Sequence, residues 1–398
     1  MASESVSDVS DRESIADHSG ILRTGQVRAT TTAPIRALAS ELGPGPFSLI
    51  MLFVTPYADF AAVVAEAETF YPDSDVVACM TAGELGANGY EENQIVGIGF
   101  PAECFVTTSL LIQDIQSLDA QATIDRITLK RMSLLDRTPE MAESFAFLVV
   151  DGLSLSEDTL TATISPALRD FPVFGGSAGD GTEYRKTLVA LNGKAAENSA
   201  VLTLARSSHR THVFSLDHLV PGEIQMVVTE ADPSRRIVKE INAEPAAREY
   251  ARLVGKDPDQ LDRFTFASHP VVVRIGDKHH VRAIQQVNEK EELVFFSAID
   301  EGMVLTIAMP QDLGQHLEAE LNELSRAQKP ANIIGCDCIL RRIEAEQSQQ
   351  SRHISQLLLA HRVIGFSTYG EQIGPLHVNH TMSGIAFYHA PETGGLKR

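Results

Sequence analysis

A four-residue pattern of hydroxyl, variable residue, glycine and acid occurs three times in the chain: Thr81-Ala82-Gly83-Glu84, Ser177-Ala178-Gly179-Asp180 and Thr368-Tyr369-Gly370-Glu371. The middle copy lies in Phe171-Pro172-Val173-Phe174-Gly175-Gly176-Ser177-Ala178-Gly179-Asp180-Gly181, where glycine fills four of the seven positions 175–181. An apolar pair followed by so many glycines reads as a buried strand entering a turn whose backbone needs positive φ or close approach to another group.

The order of elements around each copy is the same. The first unit reads as a strand at 47–54, a helix at 58–70, a strand at 76–80, the turn, and a strand at 94–100. The second runs through a strand at 145–150, a helix at 157–169, Val173-Phe174, the turn, and strands near 188–191 and 200–205. The third has a strand at 332–336, a helix within 339–360, a strand at 363–366, the turn, and a strand at 382–388. Laying residues 76–100 over the third unit at an offset of 287 pairs seven identical residues, Val76 with Val363 through Phe100 with Phe387. Average composition gives roughly one or two, so an internal repeat is expected, with a ligand site where the copies meet.

Between the second and third units the texture changes. A hairpin is expected around Asp232-Pro233-Ser234, a short helix at 245–253 and antiparallel strands at 271–275, 281–287, 293–298 and 303–308. An amphipathic helix follows at 311–324, with Leu313, Leu317, Leu321 and Leu324 on one face. The expected architecture is α+β, with mixed sheets in two domains, 26–235 and 236–390. These lie between an acidic, disordered N-terminal tail at 1–25 and a short C-terminal tail at 391–398.

A net charge of −20 sets long-range repulsion against nucleic acid and anionic membranes, so small molecules or proteins are the expected partners. No basic segment leads into an apolar run, and no run approaches the roughly 20 residues of a membrane span, so a cytoplasmic location is expected. Four scattered cysteines make no disulfide framework.

Phe174-Gly175-Gly176-Ser177-Ala178-Gly179-Asp180-Gly181 resembles the hallmark of the FIST N-terminal domain. Gly335-Cys336-Asp337-Cys338-Ile339-Leu340-Arg341-Arg342, together with Gly365-Phe366-Ser367-Thr368-Tyr369-Gly370-Glu371-Gln372, resembles the FIST C-terminal domain. The resemblance implies a sensory module of signal transduction that binds a small ligand. A FIST chain with no kinase or cyclase attached is similar to the nitric-oxide-sensing group called NosP. That likeness implies haem b as cofactor, a diatomic ligand and a partner histidine kinase. The alternatives are a haem-free FIST sensor of a small organic molecule such as an amino acid, and an uncharacterised enzyme using Glu84, Asp180 or Glu371.

Haem would need an axial imidazole with the far side open to gas. Among thirteen histidines, His377, just after the third turn, is the first choice for iron, and His380 is its neighbouring candidate. Cys336 or Cys338 as thiolate is a minor alternative; the bland reading of both is the end of a strand. His361 reads as a core or helix-end residue, His209, His212 and His218 as a loop cluster, and His279-His280 as a hairpin tip. The residues expected to line a ligand site are Gly176, Ser177, Gly179, Asp180, Thr368, Tyr369, Gly370 and Glu371. The acids have a second reading, in which each carboxylate accepts backbone N–H groups and closes its own turn. No phosphate loop, nucleophile elbow or zinc-protease helix is present, and no residue is assigned a catalytic role.

Overall fold

The computed structural model describes residues 20–276 and 278–389. The first unit comprises β1 (Arg23–Arg28), α1 (Pro34–Leu42), β2 (Phe47–Val54), α2 (Phe60–Phe70), β3 (Asp75–Met80), β4 (Glu84–Gly86), β5 (Gly89–Glu91) and β6 (Gln94–Pro101). The second repeats that order: β7 (Phe105–Gln113), α3 (Ala120–Arg137), β8 (Glu143–Val150), α4 (Glu157–Leu168), β9 (Val173–Ser177), β10 (Val189–Leu191), β11 (Lys194–Ala196) and β12 (Ser199–Ser207). The third opens with β13 (Arg210–Leu216) and is then interrupted by an insert.

The insert contains β14 (Leu219–Asp232), β15 (Ile237–Ile241), β16 (Glu244–Pro245), α5 (Ala246–Val254), α6 (Arg263–Ser268), β17 (Val271–Ile275), β18 (Lys278–Val281), β19 (Ile284–Val287), β20 (Leu293–Phe295) and β21 (Val304–Pro310). The third unit then resumes with α7 (Leu313–Ser325), β22 (Asn332–Cys338), α8 (Ile339–Gln347), α9 (Ser351–Ala360), β23 (Val363–Thr368), β24 (Glu371–Ile373), β25 (Leu376–Val378) and β26 (Met382–Tyr388).

Each unit holds a parallel pair joined by a helical crossover: β2 with β3, β8 with β9, β22 with β23. The last long strand of each unit pairs antiparallel to the first member of that pair. Continuous apolar runs in these strands suit sheets covered on both faces, and β2 is buried at seven of its eight positions.

The short hairpins are exchanged in a ring. β4 and β5 of the first unit extend the third sheet through β23; β10 and β11 of the second extend the first through β3; β24 and β25 of the third extend the second through β9. The fold is α+β with mixed sheets, and the three units form one body. Phe53, Phe147 and Phe366, one from each unit, meet at its centre, Phe53 stacking on Phe366 at 4.4 Å. Phe100, Phe145 and Phe387 form a second such layer. Each buried ring stabilises the assembly by roughly 1.5–3 kcal/mol. The insert is a separate eight-stranded sheet with its own core of Met226, Val228, Tyr250, Phe266 and Leu305.

Several expectations change. The stretch read as tail runs into β1, Arg23–Arg28, which pairs with β6 and straddles the expected boundary at 25, while residues 1–19 lie outside the described part. The third-unit helix is two helices, separated at Gln349 with φ 57°. The 18-residue α3 was not anticipated.

Candidate functional site

The three quartets stand at the carboxyl ends of β3, β9 and β23, and each is hydrogen-bonded to the other two or to the strand residue just before them. Ala82 N donates to Ser367 O at 2.9 Å, Ser177 N to Gly370 O at 2.8 Å, and Gly179 N to Met80 O at 3.1 Å. Approach this close requires glycine: a Cβ on Gly179 would lie 2.8 Å from Ala82 Cβ and 3.0 Å from Ala82 N.

The acids are enclosed by the turns. Glu84 accepts from Thr81 Oγ1 at 2.5 Å and Gln94 N at 3.1 Å. Glu371 accepts from Thr368 Oγ1, from Thr381 Oγ1 at 2.6 Å and from Thr381 N at 3.2 Å. Burial outweighs these bonds and raises Glu84 to about 7 and Glu371 to about 8. Asp180 takes the backbone N–H groups of Tyr184, Arg185 and Lys186 at 2.8–2.9 Å and the Tyr369 hydroxyl. All eight residues expected to line a ligand site are buried, and the carboxylates are spent on closing turns.

Immediately beside the turns is a pocket of about 160 Å³. The first unit contributes Thr55, Tyr57, Gly83 and Glu92, the second Gly181 and Thr182, the third Ile339, Arg342, Ile343 and Glu346 from α8, and the insert Arg263 from α6. Arg342 donates to Glu91 O at 3.0 Å and faces Glu92 at 3.3 Å, while Arg263 is exposed at the mouth. Both guanidinium and carboxylate groups therefore border a space equal to about five waters of liquid. In open α/β sheets this end of the parallel strands is where ligands bind.

Two family models match, the FIST N domain over residues 48–244 and the FIST C domain over 246–374, together most of the chain. The chain belongs to the FIST family. FIST domains are small-ligand sensor domains of signalling. No curated protein matches the chain. No helix among the described residues is long and apolar enough to cross a membrane.

In this FIST protein His377 lies on β25 and is 3% exposed. Gln372 Nε2 donates to Ser177 Oγ at 2.9 Å, so its Oε1 takes the Nδ1 proton of His377 at 3.0 Å. That leaves Nε2 a bare lone pair without a partner among the described residues. The ring rests on Gly370, where a Cβ would come within 2.8 Å of Nε2. As donor chemistry this fits an iron ligand, whose second nitrogen normally donates to an oxygen. Space is less accommodating: a cleft of about 580 Å³ is lined by Leu376 and Val378, the strand neighbours of His377, with Ile373, Val281, His279 and His280. By strand alternation His377 faces away from that cleft. His279 and His280 thus lie on β18 against a cavity.

His380 and His218 converge on one acid. Their Nε2 atoms lie 2.8 and 2.9 Å from the same Glu344 oxygen, with both rings fully buried. Two histidines and a carboxylate invite a metal. The other side of His218 argues against one. Arg341 Nη1 lies 3.1 Å from Nδ1, and since a guanidinium only donates, the ring proton sits on Nε2, the atom a metal needs bare. Burial would raise Glu344, but the bonds from His218 and His380 prevail and hold it at about 2, and burial lowers His218 to about 4. The group is a clamp of two imidazole rings on a charged acid. Sequence reading placed His218 in a loop and missed this role. The available signal was Arg341 and Glu344, three apart on one face of α8, with Asp337 four residues before Arg341 at the end of β22. Cys336 and Cys338 are buried free thiols at the end of β22.

Proposed function

We propose that this FIST protein senses a compact polar molecule, of amino-acid size, in the pocket beside the three turns and reports occupancy to a separate signalling protein such as a histidine kinase. The observation that carries this reading is that all three units and the insert contribute to one small pocket bordered by Arg263, Arg342, Glu92 and Glu346. A ligand with both an acidic and an amino group finds partners for each there.

The route outward runs through α8. Its Arg342 and Glu346 border the pocket, while Arg341 and Glu344 hold His218. His218 O accepts from Gln311 N at 2.9 Å, so the points where the chain leaves for the insert and returns from it meet at this residue. A ligand that prefers one setting of α8 thereby biases the insert, and a partner that distinguishes the two settings reads the signal.

The haem reading keeps one observation in its favour, the bare Nε2 of His377 with its Nδ1 proton given to Gln372. There His377 would hold the iron, and the haem would supply an axial position for nitric oxide. Because the 580 Å³ cleft borders the other face of β25, entry at His377 requires the insert to move off α4.

A thermal-shift screen of small zwitterions, followed by calorimetric titration of the wild type and R263A, tests the first reading. Saturable binding weakened about tenfold by R263A supports it, and wild-type affinity in R263A rejects it. Titration with haemin tests the second: a Soret band lost in H377A supports it, and no band in the wild type ends it.

A further inference from the structure

Two arginines lie buried where the insert meets α4, and they are provided for very differently. Arg236 Nη2 is 2.7 Å from Glu157 and 3.1 Å from Asp158, and its Nη1 donates to Phe296 O. The side chain of Arg282, a residue only 7% exposed, makes a single bond among the described residues, from Nη1 to Val281 O at 3.2 Å. Its Nε is buried without a partner, and no described carboxylate comes within ion-pair distance. Burial pushes this guanidinium below its usual range in spite of the charge of Asp158. An ion held so deep without a counter-charge in ion-pair contact is costly.

Beside it is a second unpaired group. Phe296 N donates to Ala283 O at 2.9 Å, which brings Ser297 across from Arg282. Phe296 and Ala283 both join the apolar cluster around Leu340 and Tyr369, and Ser297 and Arg282 are the next residues along the two paired segments. Ser297 is fully buried, and its Oγ has no partner among the described residues. Ala298 N, donating to Asp158 Oδ2 at 3.1 Å, fastens this segment to α4.

We propose that Arg282 and Ser297 form a binding site for a small oxyanion, a carboxylate or phosphate group, at the interface of insert and core. With Nη1 engaged on Val281 O, the Nε–Nη2 edge remains, and this edge takes two oxygens of a planar anion in parallel bonds. The Ser297 hydroxyl supplies a third donor. Arg236 offsets one of the two negative charges of Glu157 and Asp158, and Arg282 faces the remainder from beyond ion-pair distance. Occupancy would join the insert to α4, independently of the pocket beside the turns.

The test is calorimetric titration of the full chain with acetate and with inorganic phosphate, at ionic strength fixed by sodium chloride, with melting curves alongside. The wild type should bind at least one of the two saturably, S297A about fivefold more weakly and R282K about tenfold more weakly, since lysine keeps the charge and loses the two-point edge. R282M should bind neither, yet melt in chloride at least as high as the wild type, because the unpaired charge is gone. Failure of both anions to bind the wild type, or wild-type affinity in R282K, overturns the proposal. So does R282M melting below the wild type in chloride, which would give Arg282 a purely structural role.

Discussion

At the three glycine turns every carboxylate is closed by at least two donors, whereas under the insert Arg282 and Ser297 keep polar atoms that no described residue answers. Both regions are buried, and both bring separate parts of the chain together. The difference is that the turns hold a shape and the insert interface leaves capacity to bind. A carboxylate after a glycine therefore says little about ligands when backbone N–H groups already fill it, and the exposed groups around a completed scaffold say more.

Substitutions can break this contrast. The largest effect is expected from G179V, whose side chain would meet the backbone of Ala82 and separate the first and second turns; a loss of roughly 3–4 kcal/mol in urea unfolding is predicted. Next is D180A, which strips three backbone N–H groups of their acceptor and should cost about 2–3 kcal/mol. A change under 0.5 kcal/mol in either variant would make the turns dispensable.

The pH dependence sharpens the same comparison. Glu84 and Glu371 ionise near 7 and 8 in the folded protein but at about 4.3 in the unfolded chain, so between those values the native state binds more protons. Stability from this pair is present below about pH 4 and declines as pH rises through 8. Urea midpoints should fall between pH 5.5 and 8.5, and E84Q/E371Q should flatten the decline. Glu344 acts in the opposite sense: its folded value near 2 supplies stability above about pH 4.3 that is lost on acidification. The smallest effect is expected at the mouth of the pocket, where R263A should shift stability by less than about 0.5 kcal/mol while weakening ligand binding.

The long strands and the repeat were legible in the sequence because buried strands show as unbroken apolar runs and the first and third units keep identical residues at one offset. The ring of exchanged hairpins was not. Glu84–Gly86, Val189–Leu191 and Glu371–Ile373 are three residues each, too short for periodicity to name a pairing partner. Helix α3 was hidden because its buried stripe is Thr123, Ile127, Arg131 and Leu134, half of it polar. The break between α8 and α9 carries no glycine or proline, only Ser348-Gln349-Gln350. At the site, the quartets come together at the ends of β3, β9 and β23, and of the two readings of their acids the geometry fits turn closure. Arg263, Arg342 and Glu346 escaped notice because they come from helices remote in sequence from the quartets. His218 was missed because its partners, Glu344 and Arg341, lie more than 120 residues away.

The most direct test of the sensor account is a crystal structure of the protein soaked with the best zwitterion from the screen. The account predicts ligand density between Gly83, Gly181 and α8, with its acidic group toward Arg263. Density elsewhere, with the space beside the three turns filled by side chains, would contradict it.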